Sequence, residues 1–296
     1  MQTELYGKRR GLQRYRCVYC GRRFQSERRS ANKQQRLWHE YVWQKQTLSE
    51  LAARTGRSAR WVRRHIDRTE VQERHGVPQP TVAIADTTFW GENYGVTVFR
   101  SPTLKKNLWW TEVKSERVAT YYYGRKILEE QGWTFTAAVV DGRRGLARVF
   151  QDLPVQICIF HQVKTVTRYL TRRPQTLAGQ ELRATALRLK DSDEKEFAAL
   201  LTDWYTRWKS FIDEKTRVIG CNRWFYTHKN VRSAYMSLKN NLPYLFTYQK
   251  YLELNIPSTT NSLDGMFTQL KARLSVHRGL RRDRRFKVIS TILSGQ

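Results

Sequence analysis

Acidic residues are scarce in this chain. There are 26 Asp and Glu against 54 Lys and Arg, which leaves a formal net charge of +28 over 296 residues. That excess argues for a polyanionic partner, nucleic acid before an anionic membrane surface. Cysteine is scarcer still. Four residues, two of them in a single C-x-x-C, exclude a disulfide scaffold and fit a reducing cytoplasm. No apolar run approaches the roughly 18 residues that a membrane-spanning helix needs, and no apolar stretch near the N-terminus reads as a secretory signal. Internal repeats and low-complexity tracts are absent as well. Of the residues present, 40% are hydrophobic and 12% aromatic, enough for a packed core, so the charge does not imply disorder.

The charge is uneven. Residues 1–70 hold 18 Lys and Arg against 6 Asp and Glu, and residues 271–296 hold 8 against one. The two ends are therefore the densest candidate phosphate contacts, although charge by itself carries no base sequence information. Residues 1–32 are rich in Gly and Arg and contain Cys17 and Cys20. Residues 33–70 have helical spacing. Residues 71–80, with two prolines and a glycine, read as a linker. From residue 81 the pattern is strand-like, with expected strands at 81–85, 94–100 and 107–113, a helix over 118–131, and apolar strands at 135–140 and 155–160. Helical patterns rich in Trp and Tyr dominate about 165–255, and a last helix follows Pro257 with Ser258, Thr259 or Thr260 as its N-cap. This alternation predicts an α/β domain over 81–296.

Two constellations precede it. In Cys17-Val18-Tyr19-Cys20-Gly21 two thiolates can face one Zn²⁺ across a tight turn. A structural zinc site needs four ligands, and no second C-x-x-C precedes this one, so it is half a zinc ribbon. Next, residues 47–66 read as a helix, a turn at Gly56 and a second helix capped by Ser58. Leu48, Leu51, Ala52, Val62 and Ile66 face inward. Arg57, Arg60, Arg63 and Arg64 remain on the outer surface of the second helix, the composition wanted for insertion into a DNA major groove.

Three carboxylates stand where chemistry is plausible. Asp86 closes the apolar run Val82-Ala83-Ile84-Ala85, and Asp141 closes Ala137-Ala138-Val139-Val140. Side by side, two such strands would bring both carboxylates to one pair of metal ions, which suits phosphodiester chemistry. Asp264 falls in the first turns of the last expected helix, where it would also complement the helix dipole. Cys158 reads as a buried small hydrophobe in a strand. His161, just beyond, is a candidate contact to DNA phosphate or to the carboxylates. Cys221 reads as structural, and His228 as part of a DNA-facing loop.

The stretch from Asp141-Gly142 to Cys158-x-x-His161 resembles the second-aspartate region of the Mutator-like family of transposases. Asn261-Ser262-Leu263-Asp264-Gly265 followed by His277-Arg278-Gly279-Leu280 resembles the region around that family's third acidic residue. The zinc-knuckle and helix-turn-helix front end resembles a zinc-binding variant among the bacterial insertion-sequence members, of DDE/D type. The resemblance covers nearly the whole chain. It implies an RNase H-like catalytic core with a helical insertion at about 165–255, and Asp86, Asp141 and Asp264 as catalytic ligands of Mg²⁺ (or Mn²⁺). It also implies Zn²⁺ at Cys17 and Cys20, and DNA contacts from the four helix arginines, His161 and Arg278. The partners implied are double-stranded DNA, as element terminal repeats and target, and further copies of the chain in a homo-oligomer on DNA, with a nucleoid-associated cytoplasmic location and no membrane. Two departures stand out: Asp rather than Glu at 264, and the absent first half of the ribbon. They keep open an alternative, a catalytically decayed transposase that acts only as a sequence-specific DNA-binding protein. A resolvase-type nuclease is a third reading, which the helix-turn-helix front end disfavours.

Overall fold

The computed structural model describes residues 2–9, 12–25, 28–71, 76–277 and 279–295. The chain divides into two compact units, Met1–Arg74 with Gln269–Gly295, and His75–Thr268. The expected domain over 81–296 therefore does not hold as drawn, because Gln269–Gly295 join the N-terminal unit. No helix among the described residues is long and apolar enough to cross a membrane.

The first unit opens with an antiparallel sheet of β1 (Thr3–Arg9), β2 (Leu12–Cys17) and β3 (Arg23–Gln25) in that order. Three helices follow, α1 (Arg28–Val42), α2 (Leu48–Thr55) and α3 (Ala59–Arg68). The α2–α3 connection has the chemistry its sequence promised. Thr47 and Glu50 cap each other at the start of α2, and Gly56 ends it in the left-handed region at φ 62°, where a side chain would be strained. Ser58 accepts a hydrogen bond from the Trp61 amide to start α3. Leu51, Val62 and Ile66 are buried as expected, Leu48 and Ala52 only in part, and Arg57, Arg60, Arg63 and Arg64 are all exposed.

The second unit is α/β. Its strands are β4 (Pro80–Phe89), β5 (Gly95–Ser101) and β6 (Lys106–Val113), then, beyond α4 (Val118–Glu130), β7 (Thr134–Val140) and β8 (Val155–Ile157). They form one mixed sheet in the order β6-β5-β4-β7-β8. The first three strands are antiparallel, and β7 and β8 run parallel to β4. Alternation along β4 splits its side chains between two faces. Ala83 and Ala85 join Phe99, Trp109, Tyr121, Leu128 and Phe150 in one core beneath α4, so Ile84 and Asp86 point to the opposite face.

A helical block follows: α5 (Ile159–Leu170), α6 (Leu177–Leu187) and α7 (Glu194–Asp213), a two-stranded hairpin of β9 (Lys215–Arg217) and β10 (Trp224–Tyr226), then α8 (Lys229–Leu245), α9 (Thr247–Lys250) and α10 (Asn261–Leu274). Its core is built on Trp204, Phe197, Leu182, Leu238 and Phe246. The edge strand β8 is covered where α8 meets α9. Gln156 donates to the Leu245 carbonyl at 2.9 Å and accepts from the Tyr248 amide, while Thr247 donates to the Val155 carbonyl at 2.6 Å. Such cover removes a free strand edge.

One more helix, α11 (Arg282–Ser294), belongs to the first unit. The sequence reading stopped one helix short, because basic residues crowd the first turns of α11. Val288, Ile289, Ile292 and Leu293 of α11 are buried. Arg284 meets Asp67 with both nitrogens at 2.7 and 2.8 Å, and Lys287 donates to the Ile66 carbonyl at 2.8 Å. These cations sit at the C-terminal end of α3, where the helix dipole and unpaired carbonyls favour them.

Gly124 tests the core beneath α4. A Cβ there would lie 2.5 Å from the Trp109 ring and 2.9 Å from that of Phe99. Helix propensity alone favours Gly124→Ala by about 1 kcal/mol, but the clash is with buried rings that have no room to move. The substitution should lower stability by about 1–3 kcal/mol in urea unfolding. A more stable variant would mean that the core yields.

Candidate functional site

The register of β4 explains why Asp86 is placed where it is. The pairing with β7 runs from Pro80↔Thr134 to Ile84↔Val139 and stops, whereas the pairing with β5 continues through Asp86↔Val98 to Phe89↔Gly95. Asp86 therefore does not end its strand, as the apolar run suggested; it lies just where β4 loses one of its two neighbours. Continuing the β4–β7 register by two residues brings Asp141 level with Asp86 on the same face. Asp141 follows β7 directly, and its Oδ1 accepts the Arg143 amide at 2.7 Å.

Asp86, His161 and Asp264 each offer a ligand atom, and these atoms all lie within 4.8 Å of one another. Asp141 is not in that group. It is close enough for its charge to act on Asp86, and both it and Asp264 push the Asp86 carboxyl up. Burial is the larger cause, since Asp86 is only 7% exposed. The positive charge of His161 and the Thr87 amide, 2.8 Å away, oppose the shift, which leaves Asp86 at about 7.

His161 lies in the first turn of α5, and Cys158 is the N-cap of that helix. The expected strand over 155–160 ends three residues early, at Ile157. Cys158 is buried, as expected, but as a helix cap and not as a strand residue. Its amide donates to the Val140 carbonyl at 2.8 Å, and the Ile159 amide to the Ser258 carbonyl at 3.1 Å. The start of α5 is thereby held between the end of β7 and the segment that leads into α10. The hydrogen bond to Cys158 pushes His161 up to about 9 against its partial burial, with the charges of Asp86 and Asp264 adding to it. Burial pushes the Cys158 thiol up, but hydrogen bonds from His161 and Thr260 outweigh it and bring the thiol below its ordinary value.

Thr260 is the residue that sequence reasoning saw only as a possible cap. Its hydroxyl lies 3.2 Å from Asp264 Oδ2, 3.4 Å from Cys158 Sγ and 3.5 Å from His161 Nδ1, and its amide donates to the same sulfur. One hydroxyl proton serves one acceptor at a time, so Thr260 couples the three groups. The spacing of Cys158 and His161 carried the missed signal: i and i+3 share a face on a helix, not on a strand.

A second chain of bonds reaches Asp141 from the other face of β4. Tyr121 donates to Glu116 at 2.6 Å and accepts from Thr87 at 2.8 Å, and Arg143 donates to the other Glu116 oxygen at 2.7 Å. Beside Asp141, a Cβ on Gly142 would lie 2.7 Å from Asn241 Nδ2. Asn241 in turn donates to Gln162 at 2.8 Å.

The other expected residues are elsewhere. Cys17 is buried and Cys20 exposed at the turn after β2. Hydrogen bonds from the Cys20 amide, then the Tyr19 amide and the Cys20 side chain, lower the Cys17 thiol. Among the described residues no further His, Cys, Asp or Glu joins these two in a group that could hold a metal. Of the four expected arginines, Arg60, Arg63 and Arg64 lie on α3 and Arg57 in the turn before its cap, all in the first unit, and Arg278 lies outside the described residues. Cys221 is exposed, not structural. His228 lies in the turn between β10 and α8, as the N-cap of α8, and there it stacks on Phe211 at 3.5 Å and meets Glu214 at 3.0 Å.

Two buried-side carboxylates suit a hard cation such as Mg²⁺ or Mn²⁺. His161, protonated at neutral pH, suits donation to an anion better than ligation. Searches against protein-family models, curated proteins and solved structures find no match.

The shifts carry a sign. Asp86 is raised, so the stability it contributes is present at low pH and lost as pH rises through about 7; His161 is raised too, and its contribution is lost as pH rises through about 9. In EDTA, Asp86→Asn should therefore be more stable than the parent chain at pH 8, with the gap shrinking towards pH 5. Mg²⁺ or Mn²⁺ should raise the parent's Tm more at pH 8 than at pH 6, because cation and proton compete for Asp86. The variant should not respond. An equal response of both chains would remove Asp86 from the cation site.

Proposed function

We propose that this chain is a DDE/D-type DNA transposase, which binds element ends and catalyses metal-dependent phosphodiester hydrolysis followed by strand transfer. One observation carries the reading: carboxylates distant in sequence, Asp86 and Asp264, come within 4.8 Å of each other and of His161, with Asp141 at the end of the neighbouring strand. The strand order supports an RNase H-like core, with three antiparallel strands in series extended by two parallel ones, and α6 to α9 supply the helical insertion before α10.

Asp86, Asp141 and Asp264 would hold Mg²⁺ or Mn²⁺. Bound there, the cations would supply the Lewis acidity that lets an oxygen attack phosphorus and an alkoxide leave. The protein's own residues do the remainder. β4 and β7 hold two carboxylates level, and α10 brings the third. Imidazolium His161 is poised to donate to a phosphate oxygen, with Cys158 keeping it charged and the Thr260 hydroxyl, 3.5 Å from Nδ1, orienting it. Aspartate at 264 has reach enough to join Asp86, which favours an active enzyme over a decayed DNA-binding one.

The first unit supports the DNA-binding half of the proposal. Both charge-dense ends of the chain fall in it, so that it holds 27 of the 54 Lys and Arg but 8 of the 26 Asp and Glu. Exposed arginines on α3 follow a capped turn, as a helix entering a major groove requires. Joining two element ends calls for at least two copies of the chain.

Asp86→Ala and Asp141→Ala should each lower Mg²⁺-dependent cleavage of element-end DNA about a hundredfold or more, with DNA binding intact. Asp264→Ala should do the same and Asp264→Glu should keep activity. Unchanged cleavage in Asp264→Ala would reduce that residue to a complement of the helix dipole, and no cleavage by the parent chain would leave the DNA-binding alternative.

Arg60→Ala or Arg63→Ala should relax sequence preference by about 1–3 kcal/mol at one base pair, with a smaller effect on random DNA. Equal losses on specific and random DNA in a gel-shift competition would assign both arginines to phosphate.

A further inference from the structure

The β9–β10 hairpin takes no part in the carboxylate site, and its exposed surface has no folding explanation. Arg217 pairs with Trp224 and Lys215 with Tyr226 across the two strands. Pairing and alternation put all four on one face of the ribbon. Lys215 Nζ lies 4.2 Å from the centre of the Trp224 ring, and Arg232 of α8 lies 3.9 Å from that of Tyr226. The two rings meet edge to face at 5.2 Å. Trp224 and Phe225 are about half exposed, at 50% and 51%, and Ile219 at the tip is fully exposed. A two-stranded ribbon buries too little to need these aromatics for its own stability, so rings left in water point to an occupant.

The charge around them identifies its chemistry. From residue 215 to 252 the sequence has seven Lys and Arg and no Asp or Glu, and the two acidic residues just before it, Asp213 and Glu214, pair with Arg232 and His228, which leaves Lys215 and Arg217 as the cations of the ribbon face. Flat apolar rings interleaved with cations match one class of ligand, unpaired bases on a phosphate backbone, because every base offers a face to stack and every phosphate a negative charge. A fully paired duplex offers the charge without the free base faces.

We infer that the β9–β10 hairpin is a binding site for an unpaired nucleic-acid strand, with Trp224 as the stacking platform and Lys215 and Arg217 as backbone contacts. This rests on the nucleic-acid reading above and deepens it. The hairpin stands at the first turn of α8, and Asn241 of the same helix hydrogen-bonds Gln162 beside His161. Lys229 and Asn241 are about 18 Å apart along the α8 axis, roughly five base steps at 3.4 Å. A strand that unpairs several nucleotides from the cut phosphodiester would be the one that stacks here.

The test uses the full chain in EDTA at one fixed salt concentration, with fluorescence anisotropy of a labelled oligothymidylate and of a duplex of the same length. Trp224→Ala should lower affinity for the single strand about tenfold and for the duplex less than about twofold, and Trp224→Phe should retain most of the single-strand affinity. Single-strand binding by Trp224→Ala equal to the parent's would overturn the inference alone, as would equal losses on both probes. So would Trp224-dependent sedimentation with vesicles of anionic phospholipid in place of single-strand binding. A parent chain that binds neither probe would overturn this inference and the proposed function together.

Discussion

A carboxylate held away from water beside other carboxylates is costly unless something positive joins it. Asp86 is in that position, and much of the second unit is arranged around it. The sheet buries it at the point where β4 loses β7, so one side of the strand opens toward Asp141. α5 brings His161, whose positive charge offsets part of the repulsion. α10 brings Asp264, which adds to it. The remaining strain in charge is what a divalent cation would relieve, so the same arrangement that penalises the metal-free fold favours a metal-bound one.

Positioning comes from hydrogen bonds more than from apolar packing. Cys158 caps α5 and binds both His161 and Thr260, so the helix that carries the imidazole and the helix that carries Asp264 share one buried sulfur. On the other face of β4, the chain from Thr87 through Tyr121 and Glu116 to Arg143 ties down the loop that follows Asp141. Gly142 leaves room for Asn241 against that loop. Each aspartate is thus held by its own set of partners, which keeps three repelling groups near one another.

The sheet strands were legible because apolar and β-branched runs are hard to place elsewhere, and α2, α3 and their caps followed from Thr47, Gly56 and Ser58. Other features depended on pairing that no local pattern reveals. The apolar run that stops at Ala85 hid the fact that β5 carries β4 on to Phe89. The two three-residue strands of the hairpin are too short and too polar on β9 to register against a helical background. Of the helical-block aromatics, Trp204, Tyr235 and Phe246 are buried, whereas Trp224, Phe225, Tyr244 and Tyr251 are exposed. The three aspartates were found by position in the sequence. The parts played by Thr260 and Glu116 were not, because Thr260 also binds Cys158, 102 positions away, and Glu116 binds Arg143, 27 positions away.

The most direct test of the shared-cation assignment is an anomalous difference map from crystals of the full chain grown with Mn²⁺. Two peaks about 4 Å apart, in contact with Asp86, Asp141 and Asp264, are the expected result. Manganese bound without Asp141, or absent from this face of β4, would contradict it.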